Sequence, residues 1–275
     1  MQEENKMTIV NVNGVNLNYE SAGQGETVVF LHGYTGSTKD WASQIKALSS
    51  KYRVIAIDGR GHGKSAAPAR EEDYSIQIFG RDVSSLLKSL NIKKCCLVGH
   101  SYGGFTALQY ALEHRDRLVA LVLVDTSSEA MVKDAGYAQL RQKVDELASS
   151  SGLEAAFEYD ATHNPMRVER FKKHPEQKEI ARQKVLNTSV NGYIYTSRAI
   201  DKRSILTNRL SEIKVPTLIY WGDEDTAFNT AVQVLNQGIA GSELVTIKGV
   251  GHSPHEEAPD IFNKALLKFL EQIKW

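Results

Sequence analysis

Gly99-His100-Ser101-Tyr102-Gly103 sets one hydroxyl between two glycines, where an apolar run ending at Gly99 meets a helical run from Phe105 to His114. A Gly-x-Ser-x-Gly turn from strand to helix is so sharp that the positions two before and two after the serine must be small. The helix directs its unpaired N–H groups and partial positive charge at the serine. The backbone N–H of Tyr102 is positioned to donate to an oxyanion forming there. A serine is a poor nucleophile without a base and a carboxylate to orient that base. His252, in Gly249-Val250-Gly251-His252-Ser253-Pro254, follows the last strand on a glycine-rich loop and supplies the base. His255 is a weaker competitor, because it falls in the first turn of the final helix. Trp221-Gly222-Asp223-Glu224-Asp225 ends another strand with three carboxylates. Asp225, past the turn, can fold back toward the histidine loop; Asp223 and Asp125 are the reserves. Taken singly, these are a turn serine, a loop histidine and solvated acids. Their order and context point to acyl transfer.

Gly59-Arg60-Gly61-His62-Gly63-Lys64-Ser65 imitates a phosphate-binding loop and fails as one. Its outer glycines are one residue too close, and Ala67-Pro68 follows where a helix should open. A tight structural turn beside the elbow is the better reading. His32, His62 and His100 each belong to a turn, as local hydrogen-bonding or pocket-lining groups; His114, His163 and His174 read as surface. No histidine set has metal-ligand spacing, so neither metal nor cofactor is expected.

The 275 residues balance 33 basic against 33 acidic side chains, which gives no cause to expect nucleic acid, a polyanion or a membrane surface as partner. The expected partner is a small-molecule substrate, and the oligomeric state stays open. Cys95 and Cys96, adjacent in one strand, face opposite ways and form neither a disulfide framework nor a metal site. Met1–Lys6 is polar without an apolar leader core, and no apolar run reaches membrane-spanning length, so a cytoplasmic protein is expected.

The elements that would carry these residues alternate. Met7–Val12 and Val15–Glu20 flank Asn13-Gly14 as a hairpin. Strands follow at Thr27–Leu31, Tyr52–Ile57, the elbow run, Leu118–Val124, Thr217–Trp221 and Glu243–Ile247. Helices are expected at Asp40–Ser50, Ser75–Leu90 and Asn229–Asn236, and one amphipathic helix from His255 to Ile273 closes the chain. Between residues 126 and 210 the pattern turns polar and helical, with segments at Ala138–Ala148, Leu153–Tyr159, Gln177–Asn187 and Tyr193–Arg198. This is an α/β chain: a mostly parallel sheet covered by helices on both faces, built from 1–125 and 211–275, with 126–210 as a helical insertion. Sites in such sheets lie beyond the carboxyl ends of the strands, where every motif above falls.

The order Ser101…Asp225…His252, the elbow, the His32-Gly33 loop and the Gly59–Ser65 turn together resemble the α/β-hydrolase superfamily along essentially the whole chain. The resemblance implies eight strands, a helical cap at 126–210 roofing the pocket, and an acid three residues after a glycine, as Asp225 is after Gly222. It also implies a second oxyanion donor at the Tyr34 N–H. The loop reads His-Gly-Tyr-Thr-Gly, unlike the His-Gly-Gly-Gly of many lipases and esterases. The expected reaction is hydrolysis of a small carboxylic ester, thioester or lactone, as in a carboxylesterase. Carbon–carbon bond hydrolases, enol-lactonases and the menaquinone-pathway synthase share this constellation, and the His32–Ser37 loop somewhat resembles that synthase; Arg141, Arg167 and Arg198 are the anion partners it would need. A slow small-molecule receptor is a third reading. Epoxide hydrolases and haloalkane dehalogenases place a carboxylate where Ser101 stands. Candidate pocket residues are His32, Gly33 and His100 from the core, with Tyr137, Phe157 and Tyr193 from the insertion. The insertion aromatics equally suit packing it onto the core.

Overall fold

A computed structural model describes residues 6–130 and 135–275; residues 1–5 of the polar start lie outside the described residues. The elements in order are β1 (Lys6–Val12), β2 (Val15–Ala22), β3 (Thr27–Leu31), α1 (Ala42–Leu48), β4 (Arg53–Ile57), α2 (Ile76–Ser89), β5 (Cys95–His100), α3 (Tyr102–Glu113) and β6 (Leu118–Val124). Five helices follow: α4 (Ala135–Ser150), α5 (Leu153–His163), α6 (Pro165–Lys173), α7 (Glu176–Leu186) and α8 (Val190–Asp201). The chain closes with β7 (Thr217–Gly222), α9 (Asn229–Gly238), β8 (Glu243–Ile247), α10 (Pro254–Glu257) and α11 (Pro259–Leu270).

One eight-stranded sheet runs β1-β2-β4-β3-β5-β6-β7-β8. Asn13 and Gly14 both take positive φ, 52° and 77°, and turn β1 back on β2. β2 pairs antiparallel with β4, and every later pairing is parallel. The central strands β3, β5 and β6 are buried at every residue, which their unbroken apolar runs require. Side chains alternate between two layers. Cys95 and Leu97 join Leu86 and Leu87 of α2, Leu108 of α3 and Leu235 of α9. Cys96 and Val98 join Ile45 and Leu48 of α1 and Phe262 and Leu266 of α11 on the other face. Each such fully buried side chain contributes roughly 1.5–3 kcal/mol. Among the described residues no helix is long and apolar enough to cross a membrane.

Two expectations are corrected. The closing segment is two helices, because Pro259 lacks an amide proton to donate, and Ala258 turns to φ −136° between them. Helix α6 had no counterpart in the sequence reading. It buries no residue: Met166 and Val168 are exposed and only Phe171 packs on the insertion's centre, although Asn164 caps it at Met166 N (3.1 Å) and Pro165 opens it.

The five helices between β6 and β7 share their own apolar centre of Val144, Ala148, Phe157, Val185 and Tyr193. They rest on the core at the Gly59–Ser65 turn. The backbone N–H and hydroxyl of Ser189 both donate to Gly61 O at 2.9 Å. A Cβ on Gly61 would come within 2.4 Å of Gly192 Cα, so only two glycines allow this approach. Asp58 ties the same turn together, accepting from Thr38 N (2.6 Å) and Lys64 N (2.9 Å).

Candidate active site

Ser101 sits between β5 and α3 at φ 50°, ψ −111°, a conformation costly for a residue with a side chain. The crowding comes from backbone: a Cβ on Gly99 would stand 2.3 Å from Gly103 O, and one on Gly103 would stand 2.3 Å from Leu31 O. The elbow is held by Ser101 N–H on Val124 O (2.9 Å) and by the Thr126 hydroxyl on Ser101 O (2.8 Å). Thr35 and Asp125 also take positive φ, 64° and 39°. Strained residues thus stand just past the carboxyl ends of β3, β5 and β6, around one point.

His252 and Asp225 meet next to the His100 end of the elbow, with Nδ1 2.6 Å from the carboxylate Oδ2. Asp225 is 8% exposed, which strengthens the charge it presents to the ring. Its turn closes through Asp225 N–H on Gly222 O (2.9 Å), and the Trp221 indole donates to Asp225 O (3.0 Å). Gly222 is required because a Cβ would stand 2.1 Å from Gly251 O on the histidine loop. The neighbouring acids point elsewhere: Asp223 accepts from Gly249 N (2.7 Å), and Glu224 meets His174 of the insertion (3.0 Å). The histidine loop is drawn against the elbow by His100, whose Nε2 donates to His252 O at 2.7 Å. Burial, with His255 and His252 nearby, holds the His100 pKa well below its ordinary value, so this ring is neutral and structural. Gly33 makes room for it; a Cβ there would stand 2.6 Å from His100 Nδ1. His255 is fully buried, stacked on Trp41 at 4.2 Å, and makes no hydrogen bond to Asp225.

Asp125 lies behind the pair, wholly buried, with Oδ1 accepting from Gly222 N (3.2 Å) and Oδ2 without a donor. Burial, then the Asp225 charge, raise its pKa well above the ordinary aspartate value, so this carboxyl holds its proton more tightly than a free aspartate does.

Tyr34 lies on the loop after β3 and Tyr102 opens α3, and their side chains face different ways. The Tyr34 hydroxyl donates to Tyr193 O (2.6 Å) and its ring stacks on Tyr193 at 5.5 Å, joining the loop after β3 to α8. Burial pushes the Tyr34 phenol up, so it remains a donor. The Tyr102 ring packs edge-on against Phe79 at 5.1 Å. His32 accepts from Gly59 N at Nε2 (2.9 Å) and donates from Nδ1 to Gly33 O (2.7 Å), shaping the loop. Burial also pushes His62 down to about 3. Phe157 and Tyr193 belong to the insertion's own apolar centre, and Tyr137 is half-buried near Arg141. The three candidate anion-binding arginines have carboxylate partners: Arg141 with Asp145 (3.1 Å), Arg198 with Asp145 (3.0 Å) and Glu71 (2.6 Å), and Arg167 with Asp160 (2.5 Å). A cavity of 30 Å³ beneath the loop, lined by His32, Gly59, Arg60, Phe79, Asp82 and Tyr102, has room for about one water. Among the described residues no cluster of three or more His, Cys, Asp or Glu is arranged to hold a metal.

Sequence reasoning passed over Phe228, stacked on the His252 ring at 4.9 Å, and Glu257, whose carboxylate accepts from the amides on both sides of His252. Phe228 lies three residues past Asp225, and Glu257 five past His252; each was readable only as a neighbour of a site residue.

A family profile described as alpha/beta hydrolase fold matches residues 26–259. The chain is similar to epoxide hydrolase 3 of Xenopus tropicalis, at 28% identity over 94% of this chain and 76% of that protein. It is equally similar, 28% over 92% of this chain and 93% of the other, to a putative 2-succinyl-6-hydroxy-2,4-cyclohexadiene-1-carboxylate synthase of Bacillus subtilis. Among solved structures, a thermophilic esterase from Thermogutta terrifontis superposes with a TM-score of 0.84 at 26% identity, covering 97% of this chain and 98% of that one. With an eight-stranded sheet in this order and a family match over most of its length, the chain belongs to the alpha/beta hydrolase fold family.

Proposed function

We propose that the protein is a serine hydrolase cleaving small, uncharged carboxylic esters, thioesters or lactones through an acyl-enzyme, with the helical insertion as its cap. The observation that carries this reading is the 2.6 Å contact of His252 Nδ1 with Asp225, on a loop hydrogen-bonded to His100, the residue before the strained Ser101. In the proposed cycle the Ser101 hydroxyl attacks the carbonyl carbon while His252 Nε2 takes its proton. Asp225 fixes the tautomer and stabilises the imidazolium. The N–H groups of Tyr34 and Tyr102 receive the oxyanion, each worth about 3 kcal/mol by comparison with known donors. The proton passes to the departing alcohol or thiol, and water repeats the sequence to free the acid.

The preference for an uncharged substrate rests on the arginines, each paired with a carboxylate. This weighs against the synthase-like reading that the Bacillus subtilis relative suggests. A serine at the elbow, where an epoxide hydrolase needs a carboxylate, weighs against that chemistry. The test is burst and steady-state release of p-nitrophenol from short-chain esters, with Ser101→Ala alongside. Fast turnover lost in the variant is expected; a variant that keeps most activity, or a wild type with neither burst nor turnover, overturns the assignment.

A further inference from the structure

Four hydrogen bonds converge on the Glu257 carboxylate, at the end of α10. Oε2 accepts from Gly251 N (2.9 Å) and Oε1 from Ser253 N (3.0 Å), the two residues that bracket His252. The same oxygens accept from the insertion: Oε1 from the Arg170 guanidinium of α6 (3.2 Å) and Oε2 from the Gln177 amide of α7 (3.3 Å). Glu257 is not part of the acid–base relay, because Nδ1 of His252 is taken by Asp225 and Glu257 touches only backbone in the loop. Its side chain is 19% exposed, so these bonds are largely shielded from water.

The loop needs such a clamp. Gly249 takes φ 70° and Gly251 has no side chain, so nothing in its own sequence restrains it. Its other restraints act on Gly249 N, through Asp223, and on carbonyls: Val250 O through Glu224 N, His252 O through His100, and Ser253 O through the amides of α10. Only the bidentate carboxylate grips the amides on both sides of the ring-bearing residue.

We propose that Glu257 is a positioning residue, which holds His252 in its working orientation through two backbone amides and makes that orientation depend on the docking of α6 and α7. The inference rests on the reading of His252 as the base. Binding would then be nearly indifferent to Glu257, whereas the proton-transfer step would not, since a misplacement near 1 Å costs on the order of a hundredfold.

Kinetics of an active ester with Glu257→Gln, Arg170→Met and the double variant test it. Gln keeps the size but turns an N–H toward one of the two amides. The expected result is a kcat lower by about 10- to 100-fold with KM within about twofold, and a matching fall in the rate of Ser101 labelling by a fluorophosphonate. Arg170→Met should lower kcat a few-fold alone and have no further effect on top of Glu257→Gln. Unchanged kcat in Glu257→Gln, a rise in KM with kcat intact, or additive effects overturn the proposal. If Glu257→Gln does not fold, Arg170→Met combined with Gln177→Leu decides, and an unaltered kcat there overturns it equally. His252→Ala separates the two claims: turnover surviving in that variant sinks the catalytic reading, whereas turnover lost there but kept in Glu257→Gln sinks the clamp alone.

Discussion

Asp125→Asn should change the pH dependence of stability while barely disturbing the fold. In the folded protein Asp125 is fully buried, accepts from Gly222 N at 3.2 Å and lies close enough to Asp225 to feel its charge. As the proton-bearing partner it is matched in shape and bonding by asparagine, whose carbonyl can face Gly222 and whose amide can face Asp225. Unfolded, the same aspartate loses its proton near about 3.9. Its folded pKa is raised by burial and by Asp225, so above pH ~4 the folded state binds more proton than the unfolded one. This stabilisation is complete below the unfolded pKa and is lost as pH rises through the raised value, at up to about 1.4 kcal/mol per pH unit. Asparagine has no such slope. Urea unfolding of both proteins at pH 5, 6 and 7 therefore should show the variant gaining on the wild type as pH rises, other ionisable groups cancelling. A stability difference that does not move with pH would refute the retained proton. So would a variant several kcal/mol less stable at every pH, the signature of a broken buried charge contact.

Asp225→Asn removes the carboxylate facing His252 Nδ1 and favours the wrong tautomer; kcat for an ester should fall about 10⁴-fold with the melting temperature nearly unchanged, and a loss below tenfold would remove Asp225 from the mechanism. Gly192→Ala puts a Cβ 2.3 Å from Gly61 O, so the insertion should lift at a cost of about 1–3 kcal/mol, read as faster proteolytic nicking within α4–α8; wild-type protease resistance would contradict the seating described here. Ser101→Ala should abolish both the p-nitrophenol burst and fluorophosphonate labelling, and labelling that persists would point to another nucleophile.

The strands and the elbow were legible because steric necessity writes them into residue types. The central strands are unbroken apolar runs, and glycine stands wherever backbone passes backbone, as at Gly99, Gly103 and Gly222. The sequence favours Asp225 and keeps Asp223 and Asp125 in reserve, since the choice depends on where three carboxylates point after two loops pack. The structure gives each a different partner: Gly249 N, His252 and Gly222 N. Pairing of the arginines was equally hidden. Arg198 meets Asp145 of α4 and Glu71 of the core, residues 53 and 127 positions away in sequence. Helix α6 escaped although Asn164-Pro165 marks its start, because Met166 and Val168 are exposed and it buries no side chain. The break before Pro259 likewise carried a plain local signal.

The seat of the insertion has a consequence for how such a protein can change. Its central contact joins Gly61 to Gly192 backbone to backbone, with Ser189 closing it through its own amide and hydroxyl. Apart from those three residues, this joint makes little demand on the identities of the side chains in the insertion. The helices above it can therefore exchange surface and lining residues while the attachment persists. In engineering terms, the insertion is a replaceable cassette plugged into a fixed socket. Redesigning the cassette would leave Ser101 and its supports as they are, provided Arg170 and Gln177 keep their bonds to Glu257.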